Sequence, residues 1–70
     1  MHRLRSILLR HLLVLADCTW EFARLRRDQG RREDAAVCYE SAQRGFEVMD
    51  LAGPAASCKA DADLMRSTKD

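Results

Sequence analysis

Three of the five histidine and cysteine side chains carry donor atoms for a metal ion on predicted helices that could approach each other. His11 and Cys18 are seven residues apart, which places them on one face of a helix, and Cys38 follows on a second predicted helix. Imidazole nitrogen and thiolate sulfur are the usual ligands of zinc, but a zinc site is closed by a fourth ligand. No fourth ligand is evident, and a histidine on an apolar stripe is typical of a packed core. We therefore predict no metal site.

The potential nucleophiles lack the partners that catalysis needs. Ser41, Ser57 and Ser67 have no histidine nearby in sequence, and no glycine-rich loop follows a strand to hold a phosphate. Cys18 would need an activating base, and none is visible. Glu33 and Asp34 are better explained as charges at a helix start than as paired acids. We predict a protein that is not an enzyme and binds no cofactor.

Size and charge limit the class of protein further. The 70 residues form at most one domain, and a domain this small is often stabilised by a partner subunit. Residues 1–32 carry eight basic and three acidic residues, a charge of +5, and residues 33–70 carry four basic and eight acidic residues, −4, which sum to +1. Nucleic-acid-binding domains are more often basic overall, so no nucleic-acid partner is expected.

Cysteine usage and the N-terminus bear on the compartment. Three cysteines without a CxxC pair argue against a disulfide framework and favour reduced thiols in the cytoplasm. No apolar run is long enough for a transmembrane segment. Residues 1–16 combine arginines with an apolar stretch, as targeting segments do, but Arg10 and His11 interrupt it. We favour a buried helix and a cytoplasmic location, and a targeting role for residues 1–16 stays open.

Residues 3–28 are predicted to form a long first helix with two apolar stripes. One stripe has alternating spacings of four and three residues: Leu4, Leu8, His11, Leu15, Cys18, Phe22 and Leu25. The second stripe is Leu9, Leu12, Leu13, Ala16, Trp20 and Ala23. A helix that is apolar on both sides is expected to be packed on both sides, and two short helices do not cover it. A second chain is therefore expected.

Glycines mark the ends of the predicted helices. Gly30 can adopt the left-handed conformation that ends the first helix. A second helix over 32–51 has an inner face of Ala35, Cys38, Tyr39, Ala42, Phe46 and Met49. Gly53 is expected to lie past the end of that helix and Pro54 to start a third, over 54–67. The sequence therefore predicts an all-α domain of three helices, spanning residues 1–70.

The chain over about residues 19–65 resembles the tetratricopeptide repeat (TPR), whose pattern is W-x2-L-G-x2-Y and then A-x3-F. The first part corresponds to Thr19-x2-Phe22-Ala23-x2-Arg26 and the second to Ala35-x3-Tyr39, with Gln29-Gly30 at the hairpin turn. The resemblance implies a helical hairpin packed through Phe22, Ala23, Ala35, Tyr39, Ala42 and Phe46. It also implies that Trp20, Arg24 and Arg27 face a groove for a peptide. The chain is also similar, less closely, to the microtubule-interacting and trafficking (MIT) domain, a three-helix bundle that binds partner helices.

These patterns predict a non-catalytic protein–protein interaction module that is at least dimeric. The first helix would be buried against a second copy or a partner protein through Leu4, Leu8, Leu9, Leu12, Leu13 and Leu15. One alternative is a monomeric adaptor that binds peptides through Trp20, Arg24 and Arg27. Another is a peripheral binder of anionic membranes or nucleic acid through the arginine-rich N-terminus.

Overall fold

The computed structural model describes the backbone of residues 2–67 and the side chains of residues 6–67. It contains three helices: α1 (His2–Asp28), α2 (Arg32–Val48) and α3 (Ala52–Ser67), with no strand among the described residues. The predicted all-α class is confirmed. The molecule is elongated, with extents of 50 × 19 × 13 Å. No helix in the described part of the chain is long and apolar enough to cross a membrane.

The turn between α1 and α2 forms at the predicted glycine. Gly30 has a φ of 77°, and its N–H donates to the carbonyl of Arg27 at 3.0 Å. The N–H of Arg31 donates to the carbonyl of Arg26 at 2.9 Å, which completes a Schellman motif. Glu33 and Asp34 then lie in the first turn of α2, where their charge suits the helix dipole.

The turn between α2 and α3 differs from the prediction. The second helix ends at Val48 rather than at residue 51, and Asp50, with a φ of 62°, takes the left-handed position expected of Gly53. The N–H of Leu51 donates to the carbonyl of Phe46 at 2.9 Å in a second Schellman motif. Gly53 and Pro54 instead lie in the first turn of α3, where the N–H that proline lacks would have no helical partner.

The core lies along α2, which packs against both α1 and α3. One buried cluster contains Ala16, Ala42, Phe46, Ala55 and Cys58. The other contains Ala23, Ala35, Tyr39 and Ala62. Most of these side chains are small, so the helices approach closely: a Cβ added to Gly45 would lie 3.2 Å from the Cβ of Ala16.

Five of the six predicted hairpin-packing residues lie in this core, and Phe22 does not. Phe22 is 46% exposed, and the guanidinium carbon of Arg26 lies 4.6 Å from the centre of its ring. Ala23, the next residue, is fully buried because successive residues of a helix point about 100° apart. The prediction that Phe22 packs inside the hairpin is therefore wrong.

Arg66 joins α3 to α2 from the surface. Its guanidinium forms ion pairs with Glu40 and with Glu33, the latter at 3.3 Å. The hydrogen bond to Glu40 is the main cause that raises the pKa of Arg66 above its usual value. Because all three side chains are exposed to solvent, these pairs orient α3 more than they stabilise it.

Candidate interaction surface

The side of α1 that points away from α2 is apolar along most of the helix. Six described side chains at alternating spacings of three and four residues form this outer face, and all are exposed: Leu8, His11, Leu15, Cys18, Phe22 and Leu25. The exposure of its four large apolar residues ranges from 46% for Phe22 to 62% for Leu15. Ile7 and Val14, which are also exposed, border this face. An apolar stripe of this length is unusual on a monomer and is typical of a protein interface.

The opposite side of α1, its inner face, packs against the rest of the molecule. Ala16 and Ala23 are buried there, and Trp20 is partly buried between them. Each of the two apolar stripes of α1 therefore has a distinct environment. In the second stripe Ala16, Trp20 and Ala23 pack against α2 and α3, while Leu9 and Leu13 are 43% and 40% exposed. The first stripe, with alternating spacing, is exposed at every described position.

The predicted association surface divides between these two sides. Leu8 and Leu15 lie on the outer face, and the side chain of Leu4 lies outside the described residues. Leu12 is partly buried, so it is not a free anchor. Leu9 and Leu13 lie beside the end of α2, where they line a groove of about 230 Å³ together with Arg10, Met49 and Leu51. Sequence reasoning missed that the exposed surface continues to Phe22 and Leu25, although their spacing indicated it.

The predicted peptide groove is occupied by side chains of the chain itself. The ring of Trp20 meets the ring of Phe46 edge-on, with centroids 5.6 Å apart and planes at 75°. The guanidinium carbon of Arg24 lies 4.6 Å from the centre of the Trp20 ring, and Arg24 also pairs with Glu21. Trp20 Nε1 is buried without an acceptor among the described residues. Trp20 is therefore a packing residue with an arginine over it rather than an open platform.

Arg27, the third residue of that predicted groove, faces the same core. Its Nη1 lies 3.5 Å from the hydroxyl of Tyr39, and its Nε donates to Asp28 at 3.3 Å. Burial raises the pKa of Tyr39 above its usual value, so this hydroxyl is neutral at pH 7. The guanidinium of Arg27 thus has two partners within the chain, which reduces its capacity to hold a carboxylate ligand.

The histidine and cysteines do not come together. His11 Nδ1 lies 2.8 Å from the carbonyl of Ile7, while Cys18 is exposed and Cys38 is partly buried. Among the described residues, no group of three or more His, Cys, Asp and Glu side chains is placed to hold a metal ion. Burial raises the pKa of the Cys58 thiol to about 11, the opposite of the lowered pKa of a reactive cysteine.

The comparisons with known proteins give no family assignment. No protein-family model, no curated protein and no solved structure matches this chain. The TPR-like and MIT-like resemblances therefore stay predictions from the sequence.

Proposed function

We propose that this chain is a non-catalytic protein–protein interaction module, a TPR-like helical hairpin that buries the outer face of α1 against another protein surface. The observation that carries the proposal is the exposure of Leu8, Leu15, Phe22 and Leu25 on one continuous face. Burying a large apolar side chain fully contributes about 1.5–3 kcal/mol, and each of these is about half exposed in the single chain. Association would therefore recover a substantial stabilisation that the small core does not supply.

The first occupant we propose for this surface is another copy of the chain. Small domains commonly complete their cores by oligomerisation, and a symmetric dimer presents the same apolar face from both subunits. A larger partner protein that offers a similar apolar helix would use the same residues. The proposal places the module in the cytoplasm, where its three free thiols would remain reduced.

Leu15→Lys tests the proposal because it places a charge at the centre of the outer face. The absolute mass, measured by light scattering over a dilution series, should exceed the 8.0 kDa of one chain for the parent protein. It should fall to that of one chain for the variant, since an unpaired buried charge is strongly unfavourable. Circular dichroism of the same samples should show that the variant keeps its helices, because Leu15 is 62% exposed.

Val37→Lys is the matched control. Val37 is 51% exposed but lies on α2, away from the outer face of α1. A lysine there follows Glu33 by four residues, a spacing that supports a helix. The control should therefore associate as the parent does. A parent protein that is folded and has the mass of one chain at every concentration would contradict the proposal.

A further inference from the structure

The outer face of α1 has the residue spacing of a coiled-coil seam. With Leu8 assigned to position a of a heptad, Leu15 and Phe22 also fall at a, while His11, Cys18 and Leu25 fall at d. Leu4 falls at d as well, so the pattern extends over three heptads. Residues 4–25 span about 33 Å of helix, at about 1.5 Å per residue. The seam lies opposite α2, which leaves room for another helix along its whole length.

The two polar or small seam residues decide which orientation suits a second copy. In a parallel, in-register pair each position faces its own equivalent, so His11 meets His11 and Cys18 meets Cys18. In an antiparallel pair, position a faces position d. His11 and Cys18 would then each face leucine or phenylalanine, because the a positions here are Leu8, Leu15 and Phe22. The parallel pair keeps these two side chains in layers of their own, whereas the antiparallel pair packs each imidazole against a leucine or phenylalanine of the second copy, which is unfavourable for a polar group.

The charges that border the seam favour the same orientation. Parallel coiled coils pair position g of one helix with position e of the next heptad in the other. Here that pair is Glu21 with Arg26 of the second copy, and symmetry produces it twice. The side chain of Glu21 is 70% exposed beside Arg24, and Arg26 already lies over the ring of Phe22 at the edge of the seam.

An antiparallel pair would not use these charges. It places g opposite g and e opposite e, and the g positions are Ile7, Val14, Glu21 and Asp28. None of them is basic, so Glu21 would have no cation across the seam. The e positions within α1 include no acid that could accept from Arg26. Opposite charges across such a seam set orientation and partner choice.

We infer that α1 pairs with α1 of a second copy as a parallel, in-register, two-stranded coiled coil. This inference rests on the proposed function, since it names the occupant and the orientation for the same surface. In this arrangement Cys18 lies opposite Cys18 of the second copy, within the reach of a disulfide. In every antiparallel register that keeps the seam, Cys18 faces an a position instead.

The experiment is mild oxidation of the intact chain, followed by tryptic digestion without reduction and mass spectrometry. Cleavage after Arg and Lys places the three cysteines in different peptides, 11–24, 33–44 and 45–59. We expect the dominant linked product to be peptide 11–24 joined to itself. Light scattering of the reduced protein should show a mass of two chains. Cys38 and Cys58 are partly and fully buried, so they should remain unlinked.

Two variants, each with a single cysteine, provide the control. A variant with Cys38→Ala and Cys58→Ala keeps Cys18 alone, and adding Cys18→Ser with Val37→Cys moves the only thiol to an exposed site on α2. We expect Cys18 to cross-link at least about tenfold faster than the thiol at position 37, because the seam holds it beside its equivalent. Equal rates, or an oligomer of another size, would overturn the parallel dimer and leave the interaction module intact. A folded monomer would overturn both.

Discussion

On the inner face of α1 the buried residues are Ala16 and Ala23, whereas its outer face exposes Leu8, Leu15, Phe22 and Leu25. The fully buried residues of α1 are thus alanines, and Trp20, the one large side chain between them, is only partly buried. The inner face must lie very close to α2, as the 3.2 Å between Ala16 and a Cβ added to Gly45 indicates. A large side chain in place of Ala16 would separate α1 from α2. Residue size, as well as hydrophobicity, therefore decides which side of a helix packs within its own chain.

The strongest way to break this comparison is to remove one phenylalanine of α2 that packs beneath the inner face of α1 and one phenylalanine of the outer face. Phe46 is 1% exposed beneath Trp20, and Phe46→Ala should cost about 3–5 kcal/mol, a large part of the stability of so small a domain. Phe22→Ala should change the stability of the single chain by about 0.5 kcal/mol or less, because that ring is already 46% exposed. Urea unfolding followed by circular dichroism measures both free energies.

Both phenylalanine variants should be made in the Leu15→Lys background, so that loss of association does not mask the stability of the single chain. Equal losses of stability for Phe46→Ala and Phe22→Ala would mean that the two faces of α1 do not differ as described.

A second test places a large side chain at the close contact between α1 and α2. Gly45→Leu should force α1 and α2 apart, whereas Gly53→Leu should meet no barrier from another helix, because a Cβ on Gly53 has nothing within 4 Å outside its chain neighbours. Leucine gains more helix propensity at position 45, inside α2, than at position 53, which precedes Pro54 in the first turn of α3. A lower stability of the variant at position 45 therefore reflects the packing cost. We expect the variant at position 45 to be less stable by about 1–3 kcal/mol in thermal or urea unfolding. A variant at position 45 as stable as the one at 53 would contradict the close approach.

The smallest expected effect concerns two thiols: Cys58 of α3, which is buried in the core, and Cys18, which is on the outer face of α1. Burial raises the pKa of Cys58 from 9.0 to about 11, so the folded state holds this proton more tightly than the unfolded state. The free energy of unfolding should therefore be unaffected by this group below pH 9 and should fall as the pH rises towards 11. Ionisation of Cys58 should lower the free energy of unfolding by about 1 kcal/mol at pH 10. Urea unfolding at pH 7, 9 and 10 measures the decline.

Cys58→Ala should make that decline shallower, while part of it should persist because burial also raises the pKa of Tyr39. Cys18→Ala is the control, and all these proteins should carry Leu15→Lys, so that the outer face stays exposed as in the single chain. The control should then leave the decline unchanged. An identical decline in the parent and in Cys58→Ala would show that the buried thiol has no part in it.

Local signals predicted the first hairpin turn well and the second turn poorly. Gly30 ends α1 because glycine adopts a positive φ without steric cost, and this property is visible in the sequence. At the second turn Asp50 takes the same conformation, which short polar side chains tolerate at some cost. A prediction that takes the next glycine as the end signal places the end of α2 three residues late, at 51 instead of 48.

The site was less predictable than the fold because both stripes of α1 are apolar. Periodicity identified each stripe but could not say which one α2 would cover. The resemblance to the TPR pattern assigned Phe22 to the hairpin and Trp20 to an open groove. The pairing of Arg66 with Glu33 and Glu40, 33 and 26 residues earlier, depends on how α3 docks and has no local signal.

The position of the single tryptophan gives the molecule an internal optical reporter. Trp20 packs against both buried clusters, with Phe46 at its edge and Arg24 over its ring, so its fluorescence depends on whether all three helices are docked. It also lies on the inner face of α1, away from Leu15 and Phe22. Emission from Trp20 therefore follows folding of the single chain separately from any event on the outer face.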